Sequence, residues 1–224
     1  MIKEFDFKKT AKELFDDIEK LPIKNTPNLR KVRQKYSKKL AQATPEQILD
    51  FVRYFIGKYD HRWIVFEIIH CHKTAISIIG VKELEEFGIH INSWGASDVF
   101  AGYIAGPAWR NGQVPDGLIM TWAGSPDFWR RRTALVCTVA LNRRSAGGQG
   151  DVHRTLKICH VLAADKNDMV IKALSWALRE CIPHDPESVR KFIGEHESVL
   201  ASRVKREVKN KLTTGVKNPR RKVD

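Results

Sequence analysis

Long hydrophobic runs are missing from this chain. No apolar stretch in its 224 residues approaches the ~18 that cross a bilayer. Met1 to Lys20 is charged and amphipathic, without an apolar h-region or a small-residue cleavage site, so no secretory leader is expected. Cysteine is sparse: Cys71, Cys137, Cys159 and Cys181 stand far apart, each inside an apolar stretch. That pattern predicts four buried free thiols in a reducing cytoplasm rather than a disulfide framework. CxxC and HExxH spacings are absent, and His70-Cys71-His72, Cys159-His160 and Cys181 with His184 do not replace them, so no metal centre is expected. Acidic residues are also in deficit, 26 against 39 Lys and Arg, for a net charge of +13. A surplus of that size points to a polyanionic partner.

Hydrophobic residues make up 42% of the chain, enough to build a core and to exclude wholesale disorder. Their spacing is helical. Phe5, Phe7, Ala11, Leu14, Phe15 and Ile18 fall on one stripe at three- and four-residue steps. A very basic helix is expected over about 29–40. Thr44, Pro45 and Gln47 then form a capping box that opens a helix carrying Ile48, Phe51, Val52, Phe55 and Ile56. Ser125-Pro126 and Asp185-Pro186 read as two further starts, and Met169 to Cys181 as a strongly apolar helix. Arg62 to Phe66 has strand propensity, but the apolar run continues to Cys71 without turn residues and favours a buried helix. No hairpin signal appears. The class is all-α, and short helices joined at Pro and Gly turns suggest a paired-helix solenoid over residues 1–212.

Two segments read as connections: Ser145 to Gly150, a flexible loop, and a basic tail over 213–224. From Ser202 onward, nine Lys or Arg face only Glu207 and Asp224, a net +7, which leaves the preceding 201 residues at +6. The body is therefore basic without its tail.

Three stretches carry the candidate chemistry. Asn92-Ser93-Trp94-Gly95-Ala96-Ser97-Asp98 places Trp94 and Asp98 four apart, on one face of a helix starting near Ser93. Trp129-Arg130-Arg131-Arg132 follows, and later Trp176-Ala177-Leu178-Arg179-Glu180. Taken singly, each tryptophan reads more readily as a core aromatic and Asp98 as a cap or surface charge. Trp63, Trp109 and Trp122 read as packing residues, Glu67 as a paired buried carboxylate, Glu180 as a pairing residue, and Glu83, Glu85 and Glu86 as a solvated face.

In this order and context, the three stretches resemble the AlkD-type alkylpurine DNA glycosylases of the DNA alkylation repair family, built of HEAT-like repeats. The resemblance runs from about Asn28 to Leu212. It departs at Gly95, where the family often has Asp, and at the Ser145–Gly150 loop, which reads as a small insertion. It implies an all-α solenoid with a basic concave face gripping alkylated duplex DNA, by a chemistry that requires no cofactor. With no long apolar run and no coiled-coil heptad, a monomer and no membrane partner are expected. Carried over by position, Asp98, Trp94 and Trp176 are the catalytic residues. Asp98 would stabilise the cationic sugar, and the two indoles would flank it. Arg132 would hold a phosphate near the lesion, with Arg131 its rival and Arg130 beside them. The family is described as working from the backbone side, with the damaged base left stacked. Two other readings remain: a relative that binds unusual DNA without catalysis, and a helical scaffold for RNA or an acidic protein.

Overall fold

In the computed structural model, residues 6–59 and 61–219 are described; Phe5 and the last five residues of the tail lie outside them. The described residues hold helices and turns and no strand. Two compact units divide after His90.

The first unit contains α1 (Phe7–Glu19), α2 (Thr26–Lys39), α3 (Pro45–Lys58), α4 (Arg62–Cys71) and α5 (Val81–Phe87). Thr44 and Gln47 form the expected reciprocal cap of α3. Helix α2 starts three residues before the expected point, because Asn25 caps it by accepting from the Asn28 backbone N–H and Pro27 fits its first turn. The ambiguous run after Arg62 is a helix, buried from Ile64 to Ile69. Glu67 is 5% exposed and sits 3.5 Å from Arg30 and 3.2 Å from Arg33, the paired carboxylate its position called for. Two expectations need correction here. Cys71 is exposed, because it ends α4 beyond the apolar stripe. Glu83 and Glu86 are half-buried around Arg53, at 3.4 and 3.0 Å, instead of forming a solvated face.

The second unit runs through α6 (Trp94–Phe100), a π-helical turn (Ala101–Ala105) and α7 (Gly106–Arg110) without a break in the backbone helix. Then come α8 (Asp116–Ala123), α9 (Phe128–Asn142), α10 (Val152–Leu162), α11 (Asp168–Cys181), α12 (Pro186–Glu195) and α13 (Ser202–Thr214). Helices two apart in the chain pack together in both units: α1 on α3, α2 on α4, α7 on α9, α9 on α11, α11 on α13 and α8 on α10. That alternation is the packing of stacked helix pairs.

Helix α9 is the hub of the second unit and is buried at every residue from Arg132 to Asn142. Its cap is Asp127, which accepts from the Trp129 backbone N–H, so the helix begins two residues later than Ser125-Pro126 suggested. Gly106 lets α7 approach this hub closely; a Cβ there would lie 2.6 Å from the Ala140 Cβ and 2.8 Å from the Cys137 carbonyl. The Ser145–Gly150 loop is tied down, contrary to expectation. Gln149 and Gly150 both donate backbone N–H to the Leu141 carbonyl, Gly148 donates to Arg143, and Arg110 donates to Ala146. Gly147 and Gly150 supply the positive φ this path requires, 82° and 99°. Cys137, Cys159 and Cys181 are buried as expected. Burial raises all three thiols, Cys181 to about 12, which keeps them unreactive.

Candidate active site

Ser93 fixes the start of α6: its side chain accepts from the Ala96 backbone N–H at 3.3 Å. Trp94 then occupies the first turn and Asp98 the second, on one face. Ser97, fully buried beside Asp98, meets Thr133 of α9 at 3.1 Å. Thr133 donates to the Trp129 carbonyl at 2.8 Å, so Ser97 is the donor in the pair. This hydroxyl bridge locks α6 against α9 one residue from the carboxylate.

Arg132 rises from α9 beside Thr133 and grips Asp98 from below. Its Nη2 donates to Oδ1 at 2.7 Å and to Oδ2 at 2.9 Å, and its Nε donates to Oδ1 at 2.9 Å. Nη1 donates to the Met169 carbonyl of α11 at 2.6 Å, which joins three helices through one guanidinium. The side chain of Arg132 is 7% exposed and that of Asp98 is 21% exposed. Burial raises the Asp98 carboxyl above the ordinary range, while the charge and hydrogen bonds of Arg132 oppose the rise.

A cleft of about 150 Å³ opens beside this pair, with Asp98, Gly102, Tyr103, Arg143 and Trp176 among its walls. The π-helical turn contributes Gly102 and Tyr103, in keeping with the frequency of such turns at functional sites. Trp176 of α11 is half-buried, and its Nε1 donates to Glu180 Oε1 at 2.9 Å. The Arg143 guanidinium lies 5.0 Å over the Trp176 ring and 3.3 Å from Glu180, so the indole is held at its edge and on one face. Sequence reasoning missed Arg143 and Tyr103. An Arg at a helix end, followed by Arg144, and a Tyr in a helix interior carry no spacing signal, and only the packing of the π-helical turn, α9 and α11 brings them here.

The six sequence-derived residues separate by environment. Asp98 and Trp176 share the cleft, and Trp94, 64% exposed, stands one helical turn before Asp98. Arg132, expected at a phosphate, has its donors on Asp98 and Met169. Arg131 donates to Asp165 at 2.6 Å and to the carbonyls of Ser125 and Pro126. Arg130 lies 5.2 Å over the ring of Trp122. Trp109 and Trp122 are buried, as packing residues should be, and Trp63 is half-buried.

A carboxylate held by a bidentate arginine, reachable through a small aromatic-lined opening, is suited to meeting positive charge that develops on a bound molecule. A family model described as DNA alkylation repair enzyme matches residues 8–212 of the chain. No curated protein matches the chain.

Proposed function

The chain belongs to the DNA alkylation repair family, and from that premise we propose that it is a glycosylase acting on cationic alkylpurines in duplex DNA. Substrates of this kind are 3-methyladenine and 7-methylguanine, and the product is an abasic site. The observation that carries the reading is Asp98, fixed by Arg132 at the wall of a cleft shared with Trp176.

Ordinary glycoside hydrolysis needs one carboxyl to protonate the leaving group and another to support the sugar cation. A purine alkylated at N3 or N7 already carries positive charge. When the bond to C1′ breaks, its electron pair neutralises the departing base, and no general acid is needed. One carboxylate then suffices. Asp98 stabilises the sugar cation and orients the water that adds to C1′, whose proton passes to the carboxylate or to solvent. Trp176 offers the face opposite Arg143, and Trp94 offers an exposed indole one turn away; both attract a cationic sugar. Arg132 acts as a positioning residue for Asp98.

The cleft is smaller than the ~300–1,000 Å³ of pockets that enclose whole ligands. That size suits a deoxyribose approached from the backbone side better than an extruded base. Incubating the protein with methylated duplex DNA and measuring released bases tests the proposal. The wild type should release alkylpurines, and Asp98→Asn should abolish release while retaining DNA binding. A wild type that binds and releases nothing would leave a DNA-binding role alone.

A further inference from the structure

Away from the cleft, the last turn of α10 and the end of α12 bring three potential metal ligands together. His160 Nδ1 and His196 Nε2 lie 2.7 Å apart, and the ligand atoms of His160, Glu195 and His196 all fall within 4.8 Å of one another. We propose that these three side chains form a binding site for a borderline-soft divalent cation of the zinc type, with its remaining coordination position open to water.

Four features support this. First, the donor set is two imidazoles and a carboxylate, which zinc-type ions accept in open three-ligand sites. Second, the two imidazoles are held in place, although His160 and Glu195 are exposed. The imidazoles of His160 and His196 pack on Phe192 at 4.9 and 4.6 Å between centroids, and Phe192 is 1% exposed. Third, an N···N distance of 2.7 Å can be a hydrogen bond only when one nitrogen bears a proton and the other does not. A cation instead meets both lone pairs and the carboxylate at once. Tetrahedral coordination with metal–nitrogen bonds of ~2.1 Å sets the nitrogens about 3.4 Å apart, which a small ring rotation supplies. Fourth, His160 lies in the last turn of α10 and His196 caps α12, so the negative ends of two helix dipoles face the site. The competing charge is Lys191, 3.8 Å from Glu195, and its side chain is 79% exposed.

A bound ion would clip α12 to α10, since α12 packs only lightly on α11. The site is independent of the glycosylase reading. None of its residues lines the Asp98 cleft, and the proposed base release needs no metal.

The test is a titration of EDTA-treated full-length protein with Co2+ and then Zn2+. One equivalent of Co2+ should give the visible bands of a four- or five-coordinate ion, Zn2+ should displace it, and saturating Zn2+ should raise the thermal midpoint by several degrees. His160→Ala with His196→Ala should lose all three signals, and Glu195→Gln should weaken Co2+ binding. His153→Ala and Cys71→Ser should leave binding unchanged, which separates this site from other exposed ligands. The double variant's thermal midpoint in EDTA checks that it folds. A wild type without stoichiometric Co2+ bands, or a folded double variant that binds as the wild type does, would overturn the proposal.

Discussion

At the scale of single residues, the role proposed for Asp98 turns on the exchange between burial and pairing. A carboxylate must be ionised to support a sugar cation, yet burial raises this one above the ~3.9 of an exposed aspartate. Protonation removes the active form, so base release should fall as pH drops, along an acid limb lying above the ordinary aspartate value. Single-turnover release on pre-methylated DNA, corrected for spontaneous depurination, measures that limb; a limb at or below the ordinary value would contradict the assignment. Arg132 provides a second test. Arg132→Lys keeps the charge but loses the two-oxygen grip on Asp98. If Arg132 positions the carboxylate, the release rate should drop at least tenfold while DNA affinity and its salt dependence barely change. A phosphate-holding arginine would behave differently: removing its charge with Arg132→Gln would make the salt slope shallower by about one unit. Removing the charge should also cost about 3 kcal/mol of stability, the low end for breaking a buried pair, because Asp98 keeps some contact with solvent.

At the scale of elements, the site depends on how α6, the π-helical turn and α7 lie against α9. The Ser97–Thr133 bridge fixes one end of that contact and Gly106 the other. Gly106→Ala would place its methyl against Ala140 and the Cys137 carbonyl, where backbone leaves no room to yield. We expect a loss of about 1–3 kcal/mol for this overpacking. Base release should fall as well, since the shift also parts Asp98 from Arg132. Thermal unfolding and single-turnover release on the same sample check both effects. Unchanged stability would mean that the helices part without strain.

At the scale of the whole molecule, charge governs the encounter with DNA. The net charge of +13 is divided almost evenly between the first 201 residues and the remainder. Deleting residues 213–224 removes Lys217, Arg220, Arg221 and Lys222 with the single acid Asp224. Binding at moderate salt should weaken, and the slope of log affinity against log salt should become shallower, by about 0.9 for each phosphate the tail would otherwise neutralise. With protein in excess, release should persist. Loss of release at saturation would give the tail a role in the site itself.

The helical period, the capping box at Thr44, the helix start near Ser93 and the start at Asp185-Pro186, where Asp185 caps α12, were legible in the sequence, because each is a local rule linking neighbouring residues. The all-α class and the shared helix face of Trp94 and Asp98 followed from them. The charge surplus was likewise a matter of composition. What local rules could not supply was the partner of each side chain. The phosphate role expected of Arg132 came from its match to the resembled Trp-x-x-Arg stretch, whereas its contacts with Asp98 and Met169 come from the packing of α9 between α6 and α11. The same packing seated Arg143 over Trp176, while the end of the apolar stripe on α4 exposed Cys71. Tertiary structure also brought His160 to His196 across 36 residues of chain. Burial and charge pairing are sums over neighbours distant in sequence, so tertiary structure alone decides them.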